Sequence, residues 1–174
     1  MLVAAAVTVL NWPGWAQIET GLDPSWQAGL AVAFARQFQW GPQMDFTYGP
    51  YGYAGFMEPF YRSTALIAIL YVFAVTCLLA ALMVAGLRRY WSLASAGVIA
   101  WAVIALSWAV TRAADFASVA GLGLALGALQ SRRRTVRATL VSVLGALAGF
   151  ALLVKLNTGV TLTGLLVLAL VGAD

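Results

Sequence analysis

The residues able to do chemistry in this chain are few: six acidic and ten basic side chains among 174, with no histidine. Asp23 comes first, just after the opening apolar stretch and beside Trp26. A carboxylate at the rim of a membrane cavity can serve as a general base. Partial burial against aromatic rings would raise its pKa toward a useful range. The structural alternative is that Asp23 caps a helix starting at Pro24. The two roles are compatible, because a capping carboxylate keeps a second oxygen free. Asp45 precedes Phe46-Thr47-Tyr48-Gly49-Pro50, and Glu58 precedes Pro59. Either suits a sugar hydroxyl or a metal ion, and equally a turn cap or a solvated loop. Lys155 and Arg112 sit at short turns between apolar runs. A cation there can bind a lipid-linked phosphate, or snorkel to ordinary headgroups.

Composition narrows the field. Hydrophobic residues make up 63% and charged residues 9%, and mean hydropathy is +0.90. A soluble domain carries roughly a quarter charged residues, so the composition predicts an integral membrane protein. The net charge of +4 does not point to nucleic acid, because the arginines flank apolar runs, where they set membrane orientation. A single cysteine, Cys77, lies inside an apolar run and offers no disulfide or thiolate metal site. With no histidine, zinc chemistry and a histidine base are excluded for this chain alone.

The elements that must position these residues follow from hydrophobic runs. The expected fold is all-α, with about six transmembrane helices and a large first exoplasmic loop holding a short amphipathic helix. Residues 1–16 read as a first membrane helix, 17–62 as the loop and 63–174 as a helical bundle. Together they form one membrane domain, expected to be part of a longer protein. In the loop, Asp23 and Pro24 predict a helix start and Gly41-Pro42 its end. Trp26, Leu30, Phe34 and Phe38 recur every fourth residue, as one apolar stripe opposite Arg36. Thr47–Gly55 reads as an ordered turn-rich loop with interfacial tyrosines.

Spans are expected at Ser63–Leu87, Trp91–Val110, Asp115–Leu129 and Val136–Val154. One more run follows at Val160–Val171, after a polar turn Lys155–Gly159. Gly121, Gly123 and Gly127 suit close helix packing, and Asp115 a cap or a partner for Arg112. Arg88-Arg89 and the Arg132–Arg137 cluster are two spans apart and so share a side. The positive-inside rule makes that side cytoplasmic, and puts the loop, Arg112 and Lys155 outside. The cluster also suits contact with anionic lipid.

The runs Leu22-Asp23-Pro24-Ser25-Trp26 and Phe46-Thr47-Tyr48-Gly49-Pro50 resemble the first exoplasmic loop of the GT-C class of integral-membrane glycosyltransferases. The closest likeness is to the bacterial branch related to protein mannosyltransferases and the lipid A aminoarabinose transferase. The combination LDPSWQ … FTYGPYGY also resembles a loop found in a group of bacterial membrane proteins. The motif covers roughly residues 1–89, and topology alone extends it further. Pro24 stands where the family often has Glu, and no lysine precedes the proline of the Tyr-Gly-Pro segment. The resemblance implies an inverting transferase of the bacterial inner membrane, using a polyprenyl-phosphate sugar donor. Asp23 would deprotonate the acceptor hydroxyl, or help bind a divalent cation where one is used. Trp26, Asp45, Tyr48 and Glu58 would line the substrate site, and Lys155 and Arg112 would hold the phosphate.

Two other readings stay open. One is a non-catalytic membrane subunit whose aromatic exoplasmic loop docks a partner or lipid. The other is a transporter or lipid-flipping component, which predicts ionisable residues at mid-span or broken helices at the membrane centre. The spans after Ser63 carry no charge near their midpoints, which ranks that reading last.

Overall fold

The computed structural model describes residues 2–10, 22–43, 47–55, 62–108 and 113–172, and only the backbone of 22–24, 62, 108, 113 and 114. Among the described residues every regular element is helical: α1 Leu2–Leu10, α2 Leu22–Ala35, a 3-10 turn Gly52–Gly55, α3 Arg62–Leu87, α4 Leu93–Trp108, α5 Ala113–Gln130, α6 Arg134–Val154 and α7 Leu156–Val171. Within these residues, Ser63–Leu87 and Arg134–Val154 are long and apolar enough to cross a membrane. Leu93–Ser107, Asp115–Gln130 and Leu156–Val171 are shorter apolar helices. Six full spans therefore exceed what the described helices meet by length, since about 20 residues are needed.

Small residues set the packing. On α3, Thr64, Ala68, Thr76 and Ala80 are buried, and on α5 Ala117, Ala120 and Ala128 are buried. Such faces let helix axes approach closely. The three α5 glycines each meet a leucine of a different helix: Gly121 meets Leu162, Gly123 meets Leu82 and Gly127 meets Leu140. These contacts also fix direction. The second half of α5 touches the second half of α3 where Gly123 meets Leu82, a few residues before the end of each helix. The C-terminal half of α5 meets the first third of α6, so those two run antiparallel. Gly172 lies near Leu129, so α7 ends where α5 ends. The turns holding Arg88-Arg89 and Arg132–Arg134 thus share one end of the bundle, and Lys155 lies at the other.

The outside of the bundle is apolar. Leu66 is 60% exposed, Leu106 76% and Leu168 62%. Hydrocarbon presented on this scale is foreign to a water-facing surface.

Helix α2 differs from expectation at both ends. It begins at Leu22, so Asp23 and Pro24 lie within its first turn and Asp23 is not the residue preceding the helix. It stops at Ala35, well short of Gly41-Pro42. The amide of Phe38 donates to the Ala33 carbonyl at 3.0 Å and that of Gln37 to the Phe34 carbonyl at 3.1 Å. Gln37 has φ of 56°. This is a Schellman end with glutamine at the left-handed position usually taken by glycine. Phe38 therefore falls beyond the helix and is 40% exposed, while Leu30 and Ala31 are buried and Trp26 and Phe34 half-buried. The remaining faces are small and apolar, so α2 is less two-sided than its stripe implies.

Candidate functional site

The site begins at the corner between α6 and α7. The expected five-residue turn Lys155–Gly159 is a single residue. Lys155 has extended backbone, φ −148° and ψ 114°, and serves both as the end of α6 and the start of α7, with no side-chain cap. Asn157, Thr158 and Gly159 belong to the first turn of α7. Thr158 is buried, and a Cβ at Gly159 would lie 2.5 Å from Leu152 Cα. Thr158 and Gly159 are therefore packing surface, with Gly159 required by the close approach of the two helices, while Asn157 is exposed.

A helix end leaves its last carbonyls and first amides without intrahelical partners. Here a distant loop takes them. Gly49 N–H donates to the Val154 carbonyl at 3.1 Å, and Tyr51 N–H to the Leu153 carbonyl at 2.9 Å. Leu156 N–H in turn donates to the Thr47 carbonyl at 3.1 Å. Tyr48 and Lys155 are paired as in an antiparallel bridge. The loop behaves as a short strand laid across the break between two helices. Gly49 is needed for this, because a Cβ there would strike the Leu153 carbonyl oxygen.

This seating brings together three of the residues singled out from sequence. The Lys155 ammonium stands 5.5 Å from the Tyr48 ring centroid, within cation–π range. The Tyr48 and Trp26 rings lie 5.2 Å apart. Asp23 occupies the helical turn immediately before Trp26; its side chain lies outside the described residues. Asp45, Glu58 and Arg112 lie outside them altogether, so Asp115 is the one acidic side chain the structure describes. It sits in the first turn of α5.

Behind the corner runs a chain of rings, two of which, Phe150 and Tyr71, the sequence did not single out. Phe34 touches Tyr53 at 4.8 Å and Tyr51 at 5.5 Å. Tyr51 lies 5.8 Å from Phe150, and Phe150 lies 5.1 Å from Tyr71. These contacts tie α2, the loop, α6 and α3 into one aromatic seam. Tyr53 is fully buried, and among the described residues its hydroxyl has no hydrogen-bond partner. Burial, with the nearby Tyr51, pushes its pKa up to about 12. The signal for the loop half of the seam was the Tyr/Gly alternation of residues 48–55. Phe150 and Tyr71 gave none, because a ring inside an apolar run reads as lipid-facing or core alike.

The corner thus presents a cation over an aromatic plane, next to the first turn of a helix that carries a carboxylate. Comparison of the chain with family models, with curated proteins and with solved structures gives no match.

Proposed function

We propose that the chain is the N-terminal membrane portion of a GT-C-like glycosyltransferase of the bacterial inner membrane, with about six membrane segments. The arginine-bearing end of the bundle faces the cytoplasm by the positive-inside rule. The Lys155 end, with residues 17–62, faces outward. Two helices of spanning length and the leucine-covered exterior support the membrane assignment.

One observation carries the catalytic reading: Trp26, Tyr48 and Lys155, far apart in sequence, meet at one corner, one helical turn from Asp23. The donor is a polyprenyl-phosphate sugar. The Asp23 carboxylate accepts the proton of an acceptor hydroxyl, and the resulting oxygen attacks the anomeric carbon. The bond from that carbon to the phosphate oxygen breaks, and polyprenyl phosphate departs with its charge met by the Lys155 ammonium. Arg112 is the second cation proposed for that phosphate. Trp26 and Tyr48 offer flat apolar faces to a sugar ring, and Asp45 and Glu58 are proposed to bind its hydroxyls. The subunit reading, in which the aromatic loop docks a partner, is less well supported, because the Tyr53 ring is buried against the chain's own helices.

The test is transfer from a polyprenyl-phosphate sugar by purified full-length protein. Asp23→Asn is expected to lower kcat by about 10²–10⁴-fold, the range for removal of a general base. Lys155→Gln is expected to raise KM for the donor more than it lowers kcat. Full activity of Asp23→Asn would remove Asp23 from catalysis, and absence of transfer by the wild type would remove the enzyme reading.

A further inference from the structure

We infer that the cleft between α1 and α4, with Arg88 at its end, binds one molecule of an anionic phospholipid from the leaflet that the arginines face. The inference rests on the membrane disposition proposed above and is independent of the transfer chemistry.

Helix α1 leans on α4 where Val3 meets Gly97. Along the two helices opens a cleft of about 760 Å³, lined by residues such as Val7, Leu10, Ala94, Val98 and Trp101, and every lining side chain among the described residues is apolar. A second cavity of about 510 Å³ adjoins it, sharing Val3 and Leu93. Its wall adds Ala81, Val84 and Ala85 from the last turns of α3, and Arg88 just past its end. Both volumes fall within the range of ligand sites, roughly 300–1,000 Å³. Among the described residues Arg88 is the one charged residue on either lining, and no described lining residue is acidic.

The order of groups along the cleft is that of a phospholipid. A cation stands at one end, beside the exposed turn Arg89-Tyr90-Trp91. From there a hydrocarbon channel runs away from the arginine end, from Leu93 to Trp101. Eight residues of helix make that path about 12 Å long. A partner helix would satisfy the hydrocarbon but leave Arg88 facing its side chains. An anionic headgroup satisfies both ends, and basic pockets between membrane helices on this side are suited to such heads. A zwitterionic headgroup carries an amine that no described lining residue answers.

The experiment uses the full chain in detergent micelles, titrated with phosphatidylglycerol whose acyl chains carry bromine, a contact quencher of tryptophan. Saturable quenching is expected, with a component lost in Trp101→Phe. Arg88→Gln, or brominated phosphatidylcholine with the wild type, should bind about fivefold more weakly, the effect of one basic residue at a membrane surface. Ala94→Phe and Val98→Phe fill the cleft from exposed positions, leave the core untouched, and should each abolish the Trp101 component. Inorganic phosphate at millimolar concentration should not displace the lipid. Equal affinity for the two lipids, unchanged binding by Arg88→Gln, an undiminished signal in Trp101→Phe, or displacement by phosphate alone would each overturn the assignment. So would a dimer that shields Trp101 from the brominated chains.

Discussion

Gln37 pays for its position in backbone strain. A non-glycine residue in the left-handed region costs about 1–2 kcal/mol, and φ here is 56°. Gln37→Gly is expected to stabilise the protein by about 1 kcal/mol, read as a higher thermal midpoint in detergent. Sequence rules look for glycine at this place and so carried the helix on to Gly41.

Tyr53 offers a second test. Its pKa is raised above the unfolded value of 10 to about 12. The stability tied to its neutral form is therefore complete below pH 10 and is lost as pH rises from about 10 to about 12. Tyr53→Phe should remove that part of the alkaline loss. Because the hydroxyl lacks a partner among the described residues, the variant should also be no less stable at pH 7. Lys155, Trp26 and Tyr48 stood out in the sequence as candidates because charge is rare, and aromaticity conspicuous, in an apolar chain. Phe150 and Tyr71 were not, because hydropathy says nothing about which ring a ring will meet.

Helices α3 to α7 were readable from apolar runs closed by arginines, to within a few residues at each end. The corner between α6 and α7 was not. Asn157, Thr158 and Gly159 are turn-forming types, yet they continue a helix because Gly159 lets α7 lie against Leu152. Gly159→Ala should cost about 1–3 kcal/mol, the usual range for overpacking, and fall toward its upper end, since the added Cβ would meet Leu152 backbone that cannot swing aside. The loop that closes the corner can be tested through Leu156, the first residue of α7. Proline is normally well tolerated there. Here the amide it would remove is the one that donates to Thr47. Leu156→Pro should keep the helical circular-dichroism signal but make residues 47–55 more sensitive to limited proteolysis.

At the scale of the whole molecule, the order of arginine-marked turns was enough to foresee that Arg88-Arg89 and Arg132–Arg134 share one end. Helix directions inferred from the glycine contacts agree with that. The count of spans was less legible, because the described parts of α4, α5 and α7 are shorter than a comfortable crossing. Labelling with a membrane-impermeant thiol reagent tests the orientation. In a Cys77→Ser background, Thr47→Cys should react from outside intact cells and Arg132→Cys only after the membrane is opened. Reaction of both from one side would overturn the arrangement.

The seat of the aromatic loop has a consequence for biosynthesis. The amides of Gly49 and Tyr51 find their acceptors on Leu153 and Val154, more than a hundred residues later in the chain. At about 5–20 residues per second, those acceptors are made roughly 5–20 s after the loop. During that interval the loop has already left the ribosome and its strand-like edge is open. The nascent protein therefore carries a built-in delay between synthesis of the loop and its closure. That delay ends only when the α6–α7 hairpin is in place, which makes the hairpin the element whose arrival completes the fold.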